Sequence, residues 1–368
     1  MNRGMKGTWK KMVSGVCCAL LCAGFMAGCG SDTAKNSQSS GGKIKVEVVA
    51  KGFQHDFWKA VRMGAEKAGA EMNTDVNFVG PDNESAVAQQ VEMIKNAVNK
   101  HPAAICLAAL DTKACMDVLA QAKAAKIPII GFDSGVPGAL AGSIVANAAT
   151  DNYNAGEIAA QHMMDAIQPK LQAAASGSAV RIGVVAQESN SDSINKRTGG
   201  FVDKIVSLIE AQPGFGKGSV AVIGHDKYAN GVTSGKVTIE VRIPSEVSDN
   251  AGKTEASTLL NKEDLIAIYG SNEFAAKCII NADETLKKLG PNKVIAIGFD
   301  SGALQLNAIR SGVFYGSITQ DPVQIGYQAV KLAIAAQKGE TVKDVDTGCR
   351  WYDAKNMSDP EIAPCLYE

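Results

Sequence analysis

From Lys43 onward, short apolar runs alternate with segments of helical period, and that alternation constrains the fold more than any other feature. IKVEVVA (Ile44–Ala50) reads as a strand, after which Phe57, Ala60, Val61, Gly64, Ala65 and Ala68 recur on one helical face. Val76–Val79, Ala104–Ala108 and Ile127–Phe132 read as further strands. Between them, Val87, Val91, Ile94 and Val98 mark one amphipathic helix and Thr112–Ala125 another. Short strands separated by helices of about ten to fifteen residues imply βαβ units and a parallel sheet. The pattern then restarts. Ile144–Ala146 leads into a helix near Asn154–Ile167. Strands follow at Arg181–Ala186, Val237–Ile243, Leu265–Tyr269, Val294–Phe299 and Tyr315–Ile318, with helices between them and a last helix from Pro322. A chain of 368 residues is long for one domain. The expected fold is α/β, with two doubly wound parallel-sheet domains in tandem. The Gly-rich stretch Pro213–Lys236 fits this least and reads as a loop or hairpin inserted in the second domain.

The same acidic strand end occurs in both halves. GFDSG spans Gly131–Gly135 and again Gly298–Gly302, each time closing an apolar run. Ligands of open α/β sheets sit beyond the carboxyl ends of the strands, which is where Asp133 and Asp300 fall. An aspartate before a helix is also a common N-cap. Two copies, with polar residues at other strand ends, favour a ligand site. Those other ends are GFQHDFW with Phe57 and Trp58, NAATDNYNAG with Asp151 and Asn152, SDSINKRTGGF with Arg197, GSNE with Asn272 and TQDPVQIG with Gln320. Carboxylates accept from hydroxyls, arginine donates, and side-chain amides do both, while aromatic faces stack on C–H surfaces. That combination suits a sugar.

Other chemistries find little support. Lys+Arg (37) and Asp+Glu (38) nearly cancel, so charge gives no reason to expect nucleic acid or an acidic partner. The four histidines are scattered and no Cys/His grouping has metal-ligand spacing, so no metal or cofactor is expected. No G-x-S-x-G elbow occurs and no histidine is placed to serve a nucleophilic serine, so the chain is not expected to be an enzyme. Cys106, Cys115 and Cys278 read as small buried hydrophobes. Cys349 and Cys365 flank a polar segment and are a candidate disulfide in an oxidising compartment.

Arg3, Lys6, Lys10 and Lys11 precede an apolar stretch, Met12–Gly28, that is too short to span a membrane comfortably. It ends FMAGC, which resembles a bacterial lipoprotein lipobox with Met26 where leucine is more usual. The resemblance implies a signal peptide over 1–28, lipidation of Cys29, and a flexible tether over 29–42 (CGSDTAKNSQSSGG). It places the protein in the cell envelope, anchored on the extracytoplasmic side.

From Lys43 to about Gly348 the chain resembles type I periplasmic sugar-binding proteins of the ribose-binding group, the solute-capturing part of ABC importers. FWKAVRMGA, DNYNAG, RTGGF, SNE, GFD and TQDPVQIG stand in the family's order. The resemblance implies one lobe from 43–149 with 321–348 and another from 150–320 with 349–368. Three hinge strands would lie near Ala149–Asp151, Gln320–Asp321 and Thr347–Cys349. Phe57 and Trp58 match the aromatic pair that sandwiches the sugar. Asp133, Arg197, Asn272, Asp300 and Gln320 match its polar ligands, and Asp151 and Asn152 the first crossing between lobes. The implied function is capture of a monosaccharide by hinge closure and delivery to the membrane subunits of an ABC permease, as a monomer.

Several positions depart from ribose binders. His55 and Asp56 replace Asn and Pro, and Ser134 replaces an arginine. All three are possible ligand contacts, and the missing arginine leaves room for another pentose or a hexose. The tail GCRWYDAKNMSDPEIAPCLYE is extra, and its Trp351 and Tyr352 are expected to pack on the second lobe. The family implies two alternatives: a binder of a furanosyl signalling molecule, or a sugar-sensing partner of a chemoreceptor or sensor kinase. A sugar-responsive repressor shares the fold but needs a DNA-binding headpiece, and a secretion signal stands in its place.

Overall fold

Strands buried on both faces read as continuous apolar runs, and AICL (Ala104–Leu107) and IIGF (Ile129–Phe132), at the middle of the first sheet, are such runs. The structure is a computed structural model that describes residues 43–368. The expected signal peptide, lipidated Cys29 and tether lie outside the described residues. The first sheet is fed by β1 (Ile44–Val49), α1 (Asp56–Glu71), β2 (Thr74–Val79), α2 (Val87–Asn99), β3 (Ala104–Leu107), α3 (Met116–Ala124), β4 (Ile129–Phe132) and β5 (Ala146–Ala149). The second is fed by α4 (Asn152–Ala175), β6 (Val180–Val185), α5 (Asp192–Glu210), β7 (Val220–Ile223), β8 (Val237–Arg242) and α6 (Asp249–Leu260). It continues through β9 (Leu265–Gly270), α7 (Glu273–Leu286), β10 (Ile295–Phe299), α8 (Ala303–Arg310) and β11 (Gly316–Gln320). The chain then returns to the first sheet with α9 (Pro322–Gln337) and β12 (Val345–Asp346), and ends on the second with β13 (Cys349–Tyr352).

The strand orders are β12-β5-β4-β3-β1-β2 and β13-β11-β10-β9-β6-β8-β7. The first sheet is parallel throughout. The second is parallel except that β13 runs antiparallel to β11. The chain therefore passes between the sheets three times, after β5, after β11 and between β12 and β13. Side chains tie these passages together. Asp346 accepts from the backbone N–H of Asp151 (3.1 Å) and Gly348 (2.8 Å), and Thr150 Oγ1 donates to the Gly348 carbonyl (3.0 Å).

Pro213–Lys236 departs from the expected loop or hairpin. Its VAVI run forms β7, an edge strand parallel to β8, with Val220 opposite Val237. Residues 224–236 carry the chain back along the sheet without a helix, so the stretch extends the sheet rather than interrupting it. The helix expected from Thr112 starts only at Met116. Asp111 Oδ1 accepts from the N–H of Lys113 and Ala114, a local turn that competes with the helix.

Glycines set how closely the helices pack. A methyl at Gly64 would stand 1.9 Å from the Val323 carbonyl oxygen, and one at Gly326 1.9 Å from that of Val61, so α1 and α9 touch backbone to backbone. The second lobe repeats the device between α4 and α5 at Gly156 and Gly200.

Candidate functional site

Polar side chains from the carboxyl ends of both sheets converge on one pocket. The first sheet supplies Lys51 after β1, His55, Phe57 and Trp58 at the start of α1, Glu84 after β2, and Asp133 after β4. The second supplies Ser193, Ile194 and Arg197 from α5, Asn272 and Glu273 at α7, Asp300 after β10, and Gln320 ending β11.

The two GFDSG turns are built alike. Asp133 (φ 56°) and Asp300 (φ 67°) both adopt the left-handed conformation that aspartate tolerates in turns. Each backbone N–H bonds to the neighbouring strand, Asp133 to Ala148 (3.1 Å) and Asp300 to Ile318 (2.6 Å). Neither side chain caps a helix. Gly302 occupies the N-cap of α8, and no helix follows Asp133. The carboxylates instead meet cations. Asp133 Oδ2 lies 3.3 Å from Lys51 Nζ, and Asp300 Oδ2 lies 3.3 Å from Arg197 Nη1.

Arg197 is held in place on several sides. Its Nε donates to Asn152 Oδ1 (2.7 Å), its Nη2 stands 4.0 Å from Asp133 Oδ1, and its guanidinium lies 4.0 Å over the Phe299 ring. The glycines of DNYNAG and RTGGF bring it there. A methyl at Gly156 would stand 2.3 Å from the Arg197 carbonyl oxygen, and one at Gly200 2.1 Å from that of Tyr153.

Contacts between the lobes surround the pocket. Lys51 Nζ donates to Ser193 Oγ (3.0 Å), Gln187 Nε2 to Glu84 Oε2 (2.9 Å), and His55 Nδ1 lies 3.2 Å from Glu273 Oε1. Burial alone would lower the His55 pKa, but its hydrogen bond to Glu273 and the charges of Glu84 and Glu273 raise it above the ordinary value. Burial opposes charge on Glu84. The nearby charges of His55 and Lys51, with hydrogen bonds from Trp58 Nε1 (2.6 Å) and Gln187, nonetheless hold its pKa below the usual range. Burial pushes Asp300 up to about 6, despite Arg197 and Gln320. Gln320 Nε2 donates to Asp300 Oδ1 (2.7 Å), which fixes the amide and leaves its buried Oε1 as an acceptor with no protein partner. That acceptor and the carboxylates of Glu84, Asp133, Glu273 and Asp300 suit a ligand rich in hydrogen-bond donors.

The model for the periplasmic binding protein domain matches residues 46–341. The chain belongs to this family. The ribose import binding protein of Salmonella typhimurium is 23% identical over 302 residues, covering 82% of this chain and 87% of that protein. A solved structure described as an ABC transporter, LacI family transcriptional regulator, from Brachyspira murdochii is 35% identical, with a TM-score of 0.75 over 89% of this chain and 99% of that one. An ABC transporter solute-binding protein from Agrobacterium vitis with bound D-fucose is 28% identical, with a TM-score of 0.73 over 88% and 100% of the two chains. The protein is a type I periplasmic binding protein, and a ribose import binding protein and a D-fucose-bound ABC transporter solute-binding protein are among its relatives.

In this periplasmic binding protein, Phe57, Trp58, Asp133, Arg197, Asn272, Asp300, Gln320 and His55 line the pocket. Four other candidates do not. Asp151 is exposed and caps α4, accepting from Asn154 N–H (3.1 Å), because it lies at the crossing where that helix starts. Asn152 is buried, and its Oδ1 is occupied by Arg197, so it orients the arginine. Asp56 pairs with Lys59 on the outer face of α1 (2.5 Å). Ser134 Oγ accepts from the Ser193 N–H (3.3 Å). The expected aromatic sandwich also differs. Phe57 and Trp58 are adjacent on one helix and meet edge to face (5.0 Å, 86°), so they cannot form two parallel plates.

Lys51, Glu84, Ser193, Ile194 and Glu273 went unread in the sequence. The strand-end rule that found Asp133 also reaches Lys51, which follows IKVEVVA, and Glu84, in the PDNES loop after β2. Cys349 and Cys365 are free thiols rather than a disulfide. Trp351 packs on the second lobe, stacked on His162 (4.0 Å, 6°). Tyr352 is fully buried there, and its hydroxyl donates to the Asp300 carbonyl (2.7 Å). Among the described residues no group of His, Cys, Asp and Glu could hold a metal ion, and no helix is long and apolar enough to cross a membrane.

Proposed function

We propose that this protein captures an uncharged monosaccharide, a pentose or hexose, between its lobes and delivers it to the membrane subunits of an ABC permease. The observation that carries this reading is the convergence of Asp133 and Asp300, one from each sheet, on a single pocket with Arg197 between them. Hydrogen bonds to charged groups contribute about 1.5–3 kcal/mol each. A few of them, less the cost of immobilising the ligand, reach the roughly −8 kcal/mol of micromolar binding. The D-fucose held by the Agrobacterium vitis relative and the name of the Salmonella relative support a sugar of this size. The lobe boundaries given by the resemblance fit a hinge in which sugar bound on one lobe recruits the other. We further propose that the protein acts as a monomer, lipid-anchored through Cys29 on the extracytoplasmic side of the membrane.

Titration calorimetry with D-ribose, D-allose, D-fucose, D-arabinose, D-tagatose, D-glucose and D-galactose tests the reading. At least one sugar binds at micromolar concentration. If none binds, and a furanosyl signalling molecule does, the pocket serves signalling instead. Membrane fractionation of cells expressing Cys29→Ala tests the anchor, and an unchanged membrane fraction overturns it.

A further inference from the structure

Residues 353–368 lie beyond the span matched by the family model, yet they return to the pocket. The backbone of Tyr367 pairs with the second GFDSG turn. Its N–H donates to Ser301 Oγ (3.0 Å), and its carbonyl accepts from Gly302 N–H (3.0 Å). Two residues back, Thr319 Oγ1 of β11 donates to the Cys365 carbonyl (3.1 Å), so this segment is tied to two strand ends of the second lobe. The Tyr367 hydroxyl lies 3.1 Å from Glu273 Oε2, whose other oxygen faces His55. Its ring meets Phe57 of the first lobe edge to face, with centroids 6.1 Å apart.

One side chain thus touches a pocket carboxylate of its own lobe and a pocket aromatic of the other. We propose that Tyr367 is a positioning residue that orients Glu273 for the sugar and clasps Phe57 when the lobes close. The two contacts have different roles. The hydroxyl bond stays within the second lobe and persists through any hinge motion. The ring contact crosses the cleft and exists only when it is shut, so its energy adds to the closed state alone. Burial, together with the charges of Glu273 and Asp300, pushes the Tyr367 pKa well above the ordinary tyrosine range, so the hydroxyl remains a donor. A half-buried carboxylate such as Glu273 gains from that donor.

The inference rests on the sugar-pocket reading, and two variants test it with readouts that do and do not need a sugar. Tyr367→Ala is expected to speed dissociation of the tightest sugar of the panel about tenfold. It should also enlarge the radius of gyration of the sugar-free protein in small-angle scattering. Tyr367→Phe keeps the ring, so scattering stays as in the wild type. Without its phenolic donor, Glu273 draws more on His55, and the His55 titration followed by NMR moves upward. Unchanged dissociation and scattering in Tyr367→Ala, or an unmoved His55 titration in Tyr367→Phe, overturns the proposal. If the wild type binds no sugar at all, the sugar reading falls, while scattering and the His55 titration still decide the clasp.

Discussion

Asp133 and Asp300 occupy the same turn of two different sheets, and one guanidinium, that of Arg197, stands 4.0 Å from the first and 3.3 Å from the second. A repeated motif therefore yields a single site. The shared arginine joins the carboxylates of the two sheets in one electrostatic arrangement.

Asp300→Asn separates binding from stability. Burial raises the Asp300 pKa from 3.8 to about 6. The stabilising effect of the neutral form is complete below the unfolded value and is lost as pH rises through about 6. At pH 7 the ionised group is therefore held at a net cost in stability. The amide removes that cost and weakens charge-assisted acceptance of sugar hydroxyls. Sugar affinity is expected to fall at least tenfold in calorimetry, while the melting temperature of the sugar-free protein rises.

Affinity should follow a bell in pH. Asp300 loses its acceptor charge as pH falls through about 6. On the other side, His55 has a raised pKa, so its bond to Glu273 is whole below pH 6.5 and lost as pH rises through the raised value. Calorimetry from pH 5 to 9 reads both limbs. Asp300→Asn should flatten the acid limb and His55→Gln the alkaline one.

Arg197→Lys is not a conservative change. A lysine cannot donate at once to Asn152, approach both aspartates and lie flat on Phe299. A loss of sugar affinity of about a hundredfold is expected, with the fold retained by circular dichroism.

Gly156→Ala tests the helix crossing. The added methyl meets the Arg197 carbonyl at 2.3 Å, so α5 must move. Overpacking of this kind costs about 1–3 kcal/mol. Thermal denaturation should show that loss, with weaker sugar binding because Arg197 moves with the helix.

The alternation of apolar runs made both sheets legible, and repetition made Asp133 and Asp300 legible as a pair. Elsewhere the same local pattern admitted two outcomes. Asp151 also follows a strand and precedes a helix, and there capping prevailed. The VAVI strand β7 was hidden by the glycines around it, since four residues are too few to show a period. Tyr367 left no local sign, because Ser301 and Glu273 lie 66 and 94 positions away. Such contacts follow from the path of the chain, which periodicity does not encode.

That path has a bearing on assembly. The first sheet takes its outer strand β12 and its covering helix α9 from residues that follow all of the second except its last strand, β13. A nascent chain that has just finished β5 still exposes the apolar face that α9 will cover, and it carries that exposure through the synthesis of everything up to Gln320. Until then it is a substrate for chaperones and an aggregation hazard. The earliest-made half of the molecule is therefore among the last to become native.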